Sequence, residues 1–269
     1  ADFIKFGSIA IPLIIICILG VLILVKLLIK KVPISSKMSY LIAIGTSVCG
    51  ATAIVATAPV INAKKSEVAY AIANITLFGV IAMIVYPYFA EWYFDNDALK
   101  TGLFLGTSIH ETSQVAAAGL IYDQQFNSPE TLNVATVTKL IRNTFLVILI
   151  PLFAFLYNRG ELKSQNYSIL SIFPYFVIGF IGMIVVRNIG DQFFTPDSNN
   201  YVLWVNLIGY LKTLATVFLT MAMAAVGISI NLSELKSMGY KPFVVGLIAA
   251  ITVGLISLIY IETLIKFIY

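Results

Sequence analysis

Charge is scarce in this chain of 269 residues: 17 Lys and Arg with 13 Asp and Glu make 11% of it, against roughly 25% in an ordinary soluble domain. With 59% of residues hydrophobic and a mean hydropathy of +0.95, a water-soluble fold would expose apolar patches that soluble monomers do not tolerate. A soluble globular protein is excluded. The two cysteines, Cys17 and Cys49, lie in apolar runs without CxxC spacing, which excludes a disulfide framework and a cysteine zinc site and leaves two buried neutral thiols. The single histidine, His110, starts a His-Glu pair, but Gln114 stands where HExxH needs its second histidine, and zinc hydrolysis requires three protein ligands. No metal site is expected. A GxxxxGK[ST] loop is absent, as is the strand alternation of a β-barrel. The net charge of +4 is scattered over short loops rather than gathered into a stripe, so nucleic acid is not a partner.

What the chain does have is a series of apolar runs of about 20 residues, the length a helix needs to cross roughly 30 Å of hydrocarbon. They predict spans at 8–28, 67–87, 131–157, 168–188, 201–227 and 242–265. Two further stretches, 38–62 and 99–122, carry Gly, Thr and Ser at their centres and read as interrupted, near Cys49–Thr52 and His110–Ser113. The expected fold is therefore all-α: a polytopic membrane protein of about eight membrane segments, two of them broken helices or re-entrant hairpins. It forms a single transmembrane domain over 1–269. Ala1 enters the first span almost at once without the n-region of a signal peptide, which reads as a piece of a longer protein.

The two interrupted stretches resemble each other. GTSVCGATAIVATA from Gly45 aligns without gaps on GTSIHETSQVAAAG from Gly106, sharing Gly-Thr-Ser and an alanine, with the similar pairs Val48/Ile109, Thr52/Ser113 and Ile54/Val115. Paired interruptions of this kind are the mark of inverted-repeat secondary transporters. If both stretches are hairpins, the cytoplasmic loops collect Lys26, Lys30, Lys31, Lys37, Lys64, Lys65, Arg159, Lys163, Lys236 and Lys241, and the outside receives Lys5, Lys100, Arg187 and Lys266. Full crossing would move Lys64 and Lys65 out and Lys100 in and still satisfy the positive-inside rule, so charge alone leaves hairpins and crossing helices both open. With hairpins, the first enters from the cytoplasm and the second from outside, with both tips near the midplane.

Ionisable residues at that depth cost roughly 2.5–3.5 kcal/mol on insertion scales and ask for a reason. Ser128-Pro129-Glu130 reads as a helix start, which places Lys139 about 15 Å along the axis, with Arg142 one turn deeper on the same face and Asn143 beside them. The packing alternative is that each cation pairs with backbone carbonyls or with an acid. Against Lys139, Arg142 and Lys212 the only midplane acid is Glu111, so an anion would balance the charge; Lys212 has the option of snorkelling beside Tyr201, Trp204 and Tyr210. The expected anion site comprises Thr46, Ser47, Gly50, Thr52, Thr107, Ser108, His110, Ser113, Gln114, Lys139, Arg142 and Asn143, with Glu111 and His110 as candidates for proton coupling. Half-helix N-termini bind anions, and half-helix C-terminal carbonyls bind Na⁺.

Five segments then carry a family resemblance: GTSVCGATAIVATAPVI, EVAYAIANITLFGVIAMIVYP, GTSIHETSQVAAAG, NVATVTKLIRN and MAMAAVGISINLSEL. In order and separation they resemble the sulfate-exporter family of bacterial inner-membrane proteins (YeiH-type), over nearly the whole chain. The resemblance implies further N-terminal helices, an inner-membrane location, kinship with the cation/proton antiporter and anion transporter group, inverted repeats that often move like an elevator, and a small sulfur oxyanion or sulfonate as cargo. The expected function is secondary transport of a small anion, without enzymatic activity and with no cofactor beyond a coupling Na⁺ or H⁺. A Na⁺-coupled symporter, a cation/proton antiporter, an intramembrane enzyme using His110 and Glu111 as acid and base, and a membrane-embedded binding or sensing subunit are the alternatives. The bilayer and the anion are the expected partners, and homo-oligomerisation stays open.

Overall fold

In a computed structural model, residues 2–158, 175–198, 200–228, 233, 236 and 239–268 are described, and every regular element among them is a helix. The chain divides into two compact units, residues 168–231 forming the smaller. The larger contains α1 (Asp2–Leu28), α2 (Ser36–Ser47), α3 (Ala51–Thr57), α4 (Lys65–Phe94), α5 (Ala98–Ser108), α6 (Thr112–Phe126), α7 (Pro129–Thr144), α8 (Leu146–Asn158) and, after the smaller unit, α11 (Lys241–Ile268). The smaller contains α9 (Tyr175–Phe193) and α10 (Tyr201–Ile228). In it Asp191 accepts from Arg187 Nε at 2.7 Å and from the Trp204 indole at 2.8 Å, and Lys212 is exposed on α10.

Among the described residues, four helical stretches are long and apolar enough to cross a membrane: Gly7–Leu28, Lys65–Phe94, Pro129–Phe153 and Lys241–Thr263. The part of the expected span 168–188 that precedes Tyr175 lies outside the described residues. The stretch expected to run as one helix over 131–157 is two, α7 and α8, because the Phe145 N–H turns to the carbonyls of Arg142 and Asn143. No Gly or Pro marks that joint.

Both interrupted stretches break. Helix α2 starts where the Ser35 hydroxyl accepts from the Met38 N–H, and stops because Val48 leaves helical geometry and Gly50 takes φ +64°, a region that favours glycine. Helix α5 starts on Asp97, whose carboxylate accepts from the Lys100 N–H, and ends at extended Ile109. The resulting half-helices of 12, 7, 11 and 15 residues are each too short to cross about 30 Å at 1.5 Å per residue.

Each pair returns to the side from which it came. Lys37 Nζ, at the start of α2, donates to the carbonyl of Asn62 beyond α3 at 2.5 Å, and Ser35 bonds Glu67 at the start of α4. Tyr122 near the end of α6 donates to Glu91 Oε2, near the end of α4, at 2.5 Å. The two hairpins thus enter from opposite ends of α4, a helix of 30 residues and about 45 Å. Helix α7 packs along both α5 and α6, while α1 and α11 pack on each other and on α2 and α5.

Candidate functional site

Helix α7 buries Thr131, Ala135, Thr138, Lys139 and Arg142, a stripe at helical spacing that faces the hairpins. Both cations are 0% exposed. Lys139 Nζ donates to the carbonyls of Val48 at 2.7 Å, Ile109 at 2.9 Å and His110 at 2.5 Å, which uses all three ammonium donors. Arg142 donates through Nε to Ser47 O at 2.8 Å, through Nη1 to Thr107 O at 2.5 Å and through Nη2 to Thr46 O. These carbonyls belong to the last turns of α2 and α5 and the residues just beyond, groups that a helix cannot satisfy by itself.

The pairing follows the internal alignment. Arg142 bridges Thr46 and Thr107, and Lys139 bridges Val48 and Ile109, which are corresponding positions of the two aligned stretches. The two cations therefore join two carboxyl-terminal ends, each carrying about half a negative charge. Neither forms an ion pair among the described residues. The carbonyl contact weighed as the packing alternative is the contact seen.

The other half-helix ends meet at Glu111. Its Oε1 accepts from the Ala51 N–H at 3.4 Å, at the start of α3, and from the Thr76 hydroxyl of α4 at 3.5 Å, while Glu111 is itself the N-cap residue of α6. Gln114 Nε2 donates to Thr76 O at 3.3 Å, and Asn143 Nδ2 to Thr112 Oγ1 at 3.0 Å. The remaining expected site residues fall into two groups. Thr46, Ser47, Gly50, Thr107, Ser108 and His110 are buried, with Thr107 Oγ1 sharing a 2.7 Å hydrogen bond with Ser257 Oγ of α11; Thr52 and Ser113 are exposed on the first turns of α3 and α6. Cys17 and Cys49 are buried and free.

Thr76 and Ser257 were not among the expected site residues. Each is a small hydroxyl near the middle of a mostly apolar span, Thr76 two residues from Asn74 and Ser257 five from Thr252, and those neighbours are the signal that would have marked them.

Comparison with known proteins gives concordant matches. The family model described as conserved hypothetical protein 698 matches residues 1–246. A UPF0324 membrane protein of Fusobacterium nucleatum is 35% identical over 261 residues, covering 95% of this chain and 75% of its own length. One from Streptococcus agalactiae is 35% identical over 252 residues, covering 94% and 72%. The UPF0324 inner membrane protein YeiH of Escherichia coli K12 is 34% identical over 224 residues, covering 81% of this chain and 58% of YeiH. No solved structure matches.

Proposed function

This chain belongs to the UPF0324 family of multi-pass inner-membrane proteins, and from its site we propose that it is a secondary transporter of a small anion, of the sulfate, sulfite or organosulfonate class. The observation that carries this reading is the placement of two cationic side chains, Lys139 and Arg142, at the hairpin tips with no carboxylate paired to either among the described residues. The two carbonyl ends offset about one of those charges. The opposite, positive ends of α3 and α6 face Glu111. The balance at the midplane stays positive, and an anion entering there lowers its cost of leaving water.

In this reading Lys139 and Arg142 act through their field, since their donors are committed to carbonyls. The polar groups that meet the anion are the hydroxyls of Thr52 and Ser113 and the free N–H groups opening α6. Glu111 and His110 are the groups for a coupling ion. Residues 45–58 and 106–119 are halves of an inverted repeat, so the mirror state is reached by exchanging the roles of the two hairpins.

Counterflow tests it: full-length protein in proteoliposomes, loaded with unlabelled sulfate, sulfite or taurine, should accumulate the labelled anion faster than empty-loaded vesicles. If no anion of this class gives counterflow while a cation gradient is dissipated, the protein carries cations and the substrate class is wrong.

A further inference from the structure

We propose that the tip of the second hairpin holds a small alkali cation, Na⁺, on oxygens of Glu111, Thr76 and Gln114, with Asn143 at its edge. This goes beyond anion transport and does not rest on it.

Broken helices ordinarily take cations at their carbonyl ends. Here both carbonyl ends are filled by covalently attached cations, Lys139 and Arg142. A mobile cation must therefore sit on another set of acceptors, and the structure contains one set in excess of its donors. Glu111 Oε1 receives only long contacts, 3.4 Å from the Ala51 N–H and 3.5 Å from the Thr76 hydroxyl. Gln114 is only 6% exposed, and its Oε1 has no hydrogen-bond partner among the described residues; nor has Asn143 Oδ1. The amide of Gln114 cannot simply be turned over, because its Nε2 already serves the Thr76 carbonyl and an oxygen in its place would face another oxygen.

Three helices, α4, α6 and α7, thus bring a carboxylate, two amide oxygens without donors and the oxygens of Thr76 to one hairpin tip. Buried acceptors without donors are costly, and a bound cation satisfies several at once. The donor set decides which cation. It is oxygen alone, without sulfur or imidazole nitrogen from a described side chain, so a hard ion is required. One carboxylate among neutral oxygens matches one positive charge; divalent sites draw on several carboxylates. Size follows from packing: a Cβ built on Gly79 would lie 2.0 Å from Gln114 Oε1, so this amide is packed flush against the bare backbone of α4 and the space at its oxygen is tight, which favours the smaller alkali ion. Gly79 is what lets Gln114 reach Thr76.

The test uses purified full-length protein in detergent with no sulfur anion present, and reads the melting temperature as NaCl is titrated against KCl or choline chloride at equal ionic strength. A saturable, Na⁺-specific rise is expected. In Glu111→Gln and in Gln114→Leu the half-maximal Na⁺ concentration should rise at least about tenfold, the scale on which lost ligands and their supports act. Trp92→Phe, at an exposed position far along α4, should keep the wild-type response. Equal effects of Na⁺ and K⁺ overturn the proposal, and so does a Na⁺ response unchanged in both variants. Should those two variants fail to fold, Gln114→Glu supplies a second carboxylate and should lower the half-maximal Na⁺ concentration; no decrease overturns the proposal. Because no transported anion is present, failure here leaves anion counterflow standing, and failed counterflow leaves the Na⁺ response standing.

Discussion

Gly50 and Glu111 occupy corresponding positions in the two hairpins, and they touch: a Cβ added to Gly50 would lie 2.6 Å from Cγ of Glu111 and 3.3 Å from its Oε1. The same alignment that places Thr46 opposite Thr107 and Val48 opposite Ile109 brings this pair to the centre of the arrangement. Only one of the two can carry a side chain there.

Gly50→Ala is therefore expected to destabilise the protein by about 1–3 kcal/mol, from the positive φ and from contact with Glu111 together. Chemical denaturation of the full-length protein in detergent measures it. Combining Gly50→Ala with Glu111→Ala should recover the contact part and leave the backbone part. A double variant as unstable as the sum of the singles would mean that the two sites do not meet.

Lys139→Ala strips the cation from three carbonyls, and at about 1–3 kcal/mol for each buried acceptor left bare the melting temperature should fall by at least about 5 °C. Arg142→Lys should retain only part of the wild-type stability. The planar fork spans Thr46 on one hairpin and Thr107 on the other, and a single ammonium reaches fewer of these carbonyls. Melting curves that match wild type for both variants would remove the cations from any structural role.

Two glycine substitutions of the same chemical size should part company. A Cβ on Gly106 would lie 2.7 Å from the Ala135 carbonyl oxygen and 2.7 Å from Thr138 Cβ, so Gly106→Ala forces α5 and α7 apart and should cost about 1–3 kcal/mol. Around Gly209 no described residue lies within 4 Å, and Gly209→Ala in α10 should be neutral or stabilise by up to about 1 kcal/mol. Unfolding midpoints of the two variants, side by side, decide it.

Accessibility labelling checks the return of the first hairpin. A membrane-impermeant maleimide should reach Asn62→Cys from the same side as Ser36→Cys, and Asn96→Cys from the other side. The native thiols Cys17 and Cys49 are buried and should stay silent. Asn62→Cys reacting together with Asn96→Cys would mean that residues 36–57 cross the membrane.

Much of this was legible in the sequence because composition reports depth. Gly-Thr-Ser at the middle of an apolar run is foreign to a lipid-facing helix, and the breaks at 48–50 and 109–111 fall within a residue or two of where those letters concentrate. The burial of Lys139 and Arg142 on one face follows from their spacing alone. Their partners do not. A backbone carbonyl is the same at every position, so nothing in the letters says that a cation will be met by the ends of two helices rather than by a ligand. Thr76 and Ser257 escape for a related reason: a hydroxyl in a long, mostly apolar helix has the same signature whether it packs or binds. The joint at Phe145 has neither glycine nor proline to announce it.

The bond between Arg142 and Ser47 spans 95 residues of chain, and that distance is also a delay. At roughly 5–20 residues per second of synthesis, the carboxyl-terminal end of α2 waits about 5–20 s for the side chain that caps it. During that interval its last carbonyls have no partner from α7, and hydrocarbon offers none. The first hairpin is thus the last part of its own neighbourhood to settle: it must linger in a wet or chaperoned setting until α7 arrives, and a nascent chain arrested before residue 139 holds that hairpin only loosely in the bilayer.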